Sequence, residues 1–257
     1  MKIHIITIAY GLPEDTARLF ARCTSEAHET QWHLFLHSRI PSVVAVCERI
    51  AESPGVFYYP YGDNRGVATS WNEGMLDAFE ADADVVILSN DDITPAEGDL
   101  DRLAEAAYEQ RDCYAVFCEG YDARDRRQGS IRFGFFALNP LALSALGCLD
   151  QNFFPMYFED KDYARRAALA GLKAGYCPTT NVIHEGSKNI YTVPLLKQQH
   201  HLTFPANRDY YLRKWGGPPD QETYQRPFER FSLKIAPEER GAPYEGFNRS
   251  DQSLVFM

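Results

Sequence analysis

The sequence has no apolar run long enough to cross a bilayer, and basic residues are in the minority. Lys and Arg total 26 against 36 Asp and Glu, a formal net charge of −10. This balance disfavours nucleic acid as a partner, although it is compatible with a local basic patch. The opening residues 2–8 are too short and too β-branched for a signal peptide. We therefore expect a cytoplasmic protein without a transmembrane segment, whose membrane association, if any, is peripheral and at the inner face.

Cysteine motifs and repeats are absent as well. The six cysteines are scattered, without a Cys-x-x-Cys spacing, and they have apolar neighbours. Such cysteines are typical of small core residues in a reducing compartment. With no internal repeat or low-complexity tract, 257 residues predict one catalytic domain with at most an appendage.

Apolar strands alternate with amphipathic helices in the first half of the chain. Strands are predicted at residues 3–9, 32–36, 56–59 and 84–88, and helices after Pro13, at 42–51 and after Gly66. This alternation predicts an α/β fold, a Rossmann-like and mostly parallel sheet flanked by helices.

The second half is less regular. It predicts helices at 100–109, 140–146, 159–170 and 207–215, and strands at 114–118, 131–138 and 181–183. The charged, glycine-flanked segment 120–129 is expected to be a mobile loop. We divide the chain into a catalytic domain, residues 1–205, and an aromatic-rich C-terminal extension packed on the core, residues 206–257.

Two adjacent carboxylates, Asp91 and Asp92, follow the strand at 84–88. They lie at the carboxyl end of a buried apolar run, which is where open α/β sheets bind ligands. A divalent cation that joins them to a ligand's phosphates would offset their mutual repulsion. On these residues alone, a solvated turn that caps the next helix explains the pair equally well.

Four polar features occur in a fixed order along the chain. They are Asn64-Arg65-Gly66 opening a helix, Asn90-Asp91-Asp92 ending a strand, Glu159-Asp160 starting a helix, and His184 ending a strand. The set resembles the family 2 glycosyltransferases of the glycosyltransferase-A fold. The segment Phe158-Glu159-Asp160-Lys161-Asp162, with Arg165 or Arg166 and Gly171, looks like the rhamnosyl- and galactosyl-transferring branch. The resemblance covers roughly residues 1–190.

The resemblance implies a metal-dependent, inverting transferase. It would move a sugar from a nucleotide-diphosphate sugar, with a UDP-sugar expected, to a hydroxyl on a glycan or lipid-linked glycan. Mn²⁺ or Mg²⁺ would be held by Asp92, Asn90 and His184, and the acidic pair Glu159 and Asp160 would be catalytic, with Asp160 as the base. The residues expected at the nucleotide sugar are Ala9, Tyr10, His37, Asp63, Asn64, Gly66, Asn72, Asn90, Asp91, Arg132 and Gly134.

The chain departs from the family pattern at His37, where many members carry an Asp-rich segment. Asp63 is the candidate for the missing carboxylate. Several site residues also have a plainer interpretation. Glu159 and Asp160 fit the first turn of a helix, where acids complement the helix dipole. A lone histidine such as His184 is by default a hydrogen-bonded core or turn residue.

Three other functions remain open at this stage. A nucleotidyltransferase of the same fold class usually has a basic, glycine-rich loop after the first strand, which residues 9–13 lack. Glycosylation of a modified DNA base is a second alternative, and the acidic balance counts against it. A non-catalytic module could bind a nucleotide sugar or a partner through the aromatic tail, whose residues are Tyr210, Tyr211, Trp215, Phe228 and Phe231.

Overall fold

A computed structural model describes residues 1–230. Its strands are β1 (Lys2–Ala9), β2 (Glu29–Leu36), β3 (Val56–Tyr59), β4 (Val85–Asn90), β5 (Ile93–Thr94), β6 (Cys113–Asp122), β7 (Arg127–Leu138) and β8 (Lys173–His184). Its helices are α1 (Pro13–Arg22), α2 (Pro41–Ala51), α3 (Val67–Glu80), α4 (Asp99–Glu109), α5 (Pro140–Leu146), α6 (Glu159–Leu169), α7 (Lys188–Thr192) and α8 (Pro194–Trp215). The predicted order of strands and helices up to α4 is confirmed, apart from the two-residue strand β5.

The strands form one sheet in the order β3-β2-β1-β4-β7-β6-β8-β5. β1 pairs in parallel with β2 and β4, and β2 with β3. β7 is antiparallel to both β4 and β6, while β8 runs parallel to β6. The predicted mixed α/β fold, a central sheet flanked by helices, is confirmed. Because β1, β4 and β8 run in one direction, their carboxyl ends meet at the same edge of the sheet.

Apolar side chains cover both faces of this sheet. One cluster joins the sheet to α1 and α4 through Leu19 and Leu103. The other joins it to α3 and α6 through Trp71 and Tyr163. Trp71, in the helix predicted after Gly66, is 2% exposed. The two layers of helices hold the sheet edge and the helix starts next to it in fixed positions.

The expectation of a mobile loop at residues 120–129 was wrong. β6 continues to Asp122 and β7 begins at Arg127, so the segment is a β-hairpin. Gly120 pairs with both Gly129 and Val182, and a side chain at Gly120 would collide with the Val182 carbonyl. The glycine therefore serves close strand packing, which the sequence alone did not distinguish from flexibility.

Two other elements are longer than predicted. β8 begins at Lys173 instead of residue 181, and α8 begins at Pro194 instead of residue 207. The proposed domain boundary after residue 205 lies inside α8. Beyond it, Tyr211 and Trp215 are buried against Phe153. The division into domains stays a prediction, because residues 231–257, including Phe231, lie outside the described part of the chain.

Two composition-based expectations concern the membrane and the cysteines. Among the helices that the structure describes, none has the length and apolarity needed to span a bilayer.

All six cysteines are free thiols, and every one except Cys148 is buried. Burial raises the pKa of Cys47 to about 12, as expected for a core residue.

Candidate functional site

A cavity of about 220 Å³ opens at the carboxyl edge of the sheet. The wall contains ten residues that the sequence analysis singled out: Tyr10, His37, Asn64, Asn90, Asp91, Asp92, Arg132, Glu159, Asp160 and His184. A second cavity of about 970 Å³ shares Tyr10, His37 and Asn64 with the first and adds Asp63. Ligand sites usually measure about 300–1,000 Å³, so the two adjoining cavities provide room for a ligand of nucleotide-sugar size.

Four of the predicted contact residues, Ala9, Gly66, Asn72 and Gly134, do not line either cavity. For Asn72 the reason is a structural role. Its Nδ2 donates to the Leu149 carbonyl at 2.8 Å, and its Oδ1 accepts from the Leu149 N–H at 2.8 Å. Both amide atoms are thus used to fasten α3 to the segment before α6. Gly66 precedes α3 with φ +84°, a conformation that favours glycine.

Asp92 and His184 form the polar pair at the centre of the wall. The Asp92 Oδ1 lies 3.5 Å from the His184 Nε2, and its Oδ2 accepts the Lys188 N–H at 3.1 Å. The other ring nitrogen of His184 lies 3.1 Å from Asp122 Oδ2. Burial alone would raise the pKa of Asp92, but the hydrogen bond and charge of His184 outweigh it and lower that pKa. Asp92 is therefore a carboxylate fixed in orientation at the cavity wall.

Asp91 has a different environment from its neighbour. Its Oδ1 accepts the Asn189 Nδ2–H at 2.6 Å, and its Oδ2 accepts the Tyr10 N–H at 3.3 Å. Burial, followed by the charge of Asp92, raises the pKa of Asp91 to about 8. Both oxygens therefore bind the chain itself, and Asp91 links the end of β1 to α7. This leaves Asp92 as the carboxylate of the pair that is suited to a metal.

The donor set around Asp92 fits a hard divalent cation held together with a substrate. One carboxylate, one imidazole and the nearby Asn90 amide are ligand types that Mn²⁺ or Mg²⁺ accepts, and phosphate oxygens and water complete such shells. Within residues 1–230 no group of three or more His, Cys, Asp and Glu side chains is arranged to hold a metal ion by itself. Any ion here would thus be held by the protein and its ligand jointly.

The acidic pair lies at the start of α6 and lines the same cavity. Glu159 is 6% exposed, and its Oε2 has no hydrogen-bond partner among the described residues. Burial, with the charge of Asp160 added, raises the pKa of Glu159 well above its ordinary value. Burial also raises the pKa of Asp160, but the charge of Lys161 and backbone N–H groups oppose the shift. Asp160 is therefore the carboxyl group that ionises first.

Strained backbone surrounds this pair. Tyr157 and Phe158, directly before α6, have φ values of +75° and +78°, and two further residues of the cavity wall, Phe133 and Ser187, are at +54° and +62°. Positive φ is rare for bulky residues with a Cβ, and such strain concentrates at functional sites. Their clustering around one cavity supports assigning a function to it.

The second cavity begins at His37. Its Nε2 lies 2.7 Å from Ser70 Oγ, and its Nδ1 accepts the Arg65 N–H at 3.4 Å. Burial lowers the pKa of His37 to about 4, so the ring is neutral at physiological pH. Further out, Asp63 is exposed and pairs with Arg39 at 2.8 Å. The site thus has a neutral floor and a charged rim at this end.

Sequence reasoning missed the contribution of α7. Ser187, Asn189 and Ile190 all line the first cavity, and the backbone of Lys188 holds Asp92. The Asn189 Oδ1 is buried without a partner among the described residues. A helix of five residues has too few turns to produce a periodic pattern. The residues Gly186-Ser187 that precede it gave no local signal either.

No protein-family model and no curated protein matches the sequence. Among solved structures, the fold is similar to that of S. aureus TarS, a family 2 glycosyltransferase. The match to TarS 1–349 has a TM-score of 0.57 and 11% identity, and covers 83% of this chain and 70% of that one. Against the longer TarS structure the TM-score and identity are again 0.57 and 11%, but the match spans only 42% of that chain. At this identity the likeness shows the fold, a central sheet of eight strands flanked by helices, and nothing finer.

Proposed function

We propose that this chain is an inverting glycosyltransferase that uses a nucleotide-diphosphate sugar, with a UDP-sugar as the first candidate. The observation that carries the proposal is the shared cavity: the acidic start of α6 and the Asp92–His184 pair line the same space. The similarity of the sheet to the TarS fold supports the same class of reaction. The acceptor we propose is a hydroxyl group on a glycan or lipid-linked glycan.

Asp92 and His184 would bind the diphosphate end of the donor together with Mn²⁺ or Mg²⁺. When bound, such an ion stabilises the negative charge of the departing nucleoside diphosphate by several kcal/mol. The His184 imidazole favours Mn²⁺ over Mg²⁺, because Mn²⁺ accepts nitrogen ligands more readily. Arg132, also in the wall of the cavity, adds positive charge close to the same diphosphate.

Asp160 would take the proton from the acceptor hydroxyl while the new bond forms. A positioned carboxylate contributes about 10²–10⁴-fold to such a step. Its raised pKa makes it a stronger base than an exposed aspartate while leaving it the first of the pair to ionise. A base on the face of the sugar opposite the leaving diphosphate produces inversion at the anomeric carbon.

The nucleotide would extend into the second cavity, past His37 towards Asp63 and Arg39. The neutral, buried His37 offers hydrogen bonding without charge, and the Arg39–Asp63 pair at the rim offers both a donor and an acceptor. This arrangement supports Asp63 as the carboxylate that replaces the Asp-rich segment of related enzymes.

The test is an assay of the purified chain with UDP-, dTDP- and GDP-sugars and Mn²⁺, in which transfer and slow hydrolysis are followed by release of nucleoside diphosphate. Asp160→Asn is expected to lower kcat by about 10²-fold or more with little change in donor affinity. Asp112→Asn is the matched control, because Asp112 is exposed at the opposite edge of the sheet. The anomeric configuration of the product, determined by NMR, tests inversion.

The same assay separates the alternatives. Release of pyrophosphate from a nucleoside triphosphate and a sugar phosphate would identify a nucleotidyltransferase. Transfer to DNA with modified bases, but not to glycans, would identify an enzyme that glycosylates a modified DNA base. Donor binding without any turnover by the unsubstituted chain would indicate a binding module, and turnover unaffected by Asp160→Asn would refute Asp160 as the base. Absence of binding to all three donor classes with Mn²⁺ would refute the proposal.

A further inference from the structure

The outward side of α8 carries large apolar side chains. Leu195 is 67% exposed and Leu202 is 70% exposed, and Tyr191, just before the helix, is 60% exposed. Leu195 and Leu202 are seven residues apart, which places them on the same side of the helix, two turns from each other. The inner side of the same stretch is already occupied by the buried Leu196. A helix packed on a protein normally presents polar residues outward, so this face has apolar surface beyond what the fold uses.

The charge of this stretch differs from that of the whole chain. From Gly186 to Arg208 there is no Asp or Glu, whereas acidic residues outnumber basic ones 36 to 26 overall. Lys197 is exposed on α8 and has no ion-pair partner within residues 1–230. The Arg124 guanidinium lies 5.7 Å from the centre of the Tyr191 ring. Lys188 pairs with Asp15 and Arg208 with Asp209, so the cations that this surface offers are Lys197 and Arg124. An exposed apolar face with two such cations beside it complements a negatively charged, partly apolar surface.

The face lies at the mouth of the second cavity. Leu195 and Leu202 line that cavity, as does Ile40 on its other side, which is 37% exposed. Leucines that surround the entrance to a cavity, with aromatic and basic residues beside them, form the pattern of an interfacial membrane contact.

We propose that this surface, the apolar Tyr191, Leu195 and Leu202 with the exposed Lys197 and His201 on the adjoining side of the helix, docks on an anionic phospholipid bilayer. The leucines and the tyrosine enter the boundary between headgroups and acyl chains, and Lys197 and Arg124 contact headgroup phosphates. The net charge of −10 opposes attraction of the protein as a whole to such a bilayer, so binding depends on this local surface. Docking places the mouth of the second cavity at the membrane. Docking itself does not depend on the proposed function. The further step, that the acceptor is lipid-linked, rests on that function.

Vesicle sedimentation with the full chain tests the docking directly, without nucleotide or metal. Vesicles of phosphatidylglycerol and phosphatidylcholine are compared with vesicles of phosphatidylcholine alone. We expect the partition coefficient to be about tenfold higher on the anionic vesicles and to fall with added salt. The double substitution Leu195→Ser with Leu202→Ser is expected to reduce it about tenfold. Lys197→Glu is expected to reduce it about fivefold or more.

A matched control replaces two exposed apolar residues outside this surface, Phe57→Ser with Tyr176→Ser; these are 46% and 40% exposed. The control is expected to bind vesicles like the wild type, with circular dichroism confirming that all variants are folded. The proposal is overturned if the wild type does not sediment with anionic vesicles, if phosphatidylcholine alone binds it equally well, or if the control loses as much binding as the leucine variant. A folded protein that binds UDP-sugar and Mn²⁺ but no vesicles would refute docking and leave the transferase proposal standing.

Discussion

Replacing Lys214 with methionine is expected to lower the free energy of unfolding by about 3 kcal/mol. Lys214 is 5% exposed, and its Nζ lies 2.7 Å from Asp150 Oδ2 and 2.5 Å from Asp162 Oδ1. Methionine keeps an unbranched apolar stem of similar length but removes the charge. Both carboxylates would then remain buried without their shared cation.

The magnitude follows from the partners that remain. Breaking a buried ion pair by removing one partner costs about 3–5 kcal/mol. Asp162 keeps Arg166 and the Trp215 indole N–H, at 2.9 Å each, and Asp150 keeps the Tyr210 hydroxyl at 3.0 Å. These contacts leave neither carboxylate isolated, which places the loss at the lower end of the range.

Urea unfolding followed by circular dichroism provides the measurement. With an m-value of about 2.5 kcal/mol/M for a chain of this size, the midpoint is expected to fall by about 1 M. Lys197→Met is the matched control, because it is the same change at an exposed position of the same helix. Adding Asp150→Asn to Lys214→Met is expected to recover part of the loss, since it removes one uncompensated charge.

A loss below about 1 kcal/mol, or a loss equal to that of Lys197→Met, would refute this reasoning. It would mean that the network is as weak as a surface ion pair. The point matters for function, because Asp162 lies on α6, two residues after Asp160. Lys214 thus joins the C-terminal end of α8 to the helix that carries the proposed base.

Three further predictions concern pH and hydrogen bonding. Burial raises the pKa of Asp160, and a base acts only when it is deprotonated. As the pH is lowered, kcat/KM is therefore expected to begin its fall at a higher pH than with an ordinary aspartate as the base. A fall that begins only near pH 4 would contradict this. Burial lowers the pKa of His33 to about 3 and of His37 to about 4. In the unfolded chain these histidines bind a proton below about pH 6.5, whereas in the folded protein they stay neutral until much lower pH. Each residue is therefore expected to lower the free energy of unfolding by about 2 kcal/mol between pH 7 and pH 5, and this loss is complete near its folded pKa. Urea midpoints at pH 7 and pH 5 check this, and a His33→Gln variant with an unchanged pH dependence would argue against it. Asn72→Ala is expected to lower the free energy of unfolding by about 2–4 kcal/mol, because it leaves the Leu149 N–H and carbonyl without partners. The affinity for a UDP-sugar, measured by calorimetry, is expected to stay unchanged. A selective loss of affinity would show instead that Asn72 contacts the nucleotide.

Local sequence signals predicted the first half of the fold well. The β-branched runs and the amphipathic stripes each depend on a few neighbouring residues, so β1 to α4 could be placed, except for the two-residue strand β5. Asp92 and Asp160 could be singled out because strand ends and helix starts are local features. That they line one cavity could only be expected through a family resemblance, since the strand order joining them is set by distant pairings.

The features that the sequence did not reveal have the same physical origin. The hairpin at residues 120–129 resembled a loop, because its glycines and charges face partners far along the chain, such as Val182. The bonds of Asn72 to Leu149 could not be predicted, because nothing nearby in sequence indicates them. The role of α7 depends on docking against Asp91 and Asp92 and leaves no periodic trace.

The pairing of β5 with β8 has a consequence for synthesis of the protein. Ile93 pairs with His184, so the strand that follows Asp92 must wait for the last strand of the sheet. β1 to β4 pair among themselves and can form while the nascent chain is still on the ribosome, since domains begin to fold from the N-terminal side. A chain stalled before residue 184 would therefore hold a partly built sheet in which the strand that follows Asp92 still has no partner.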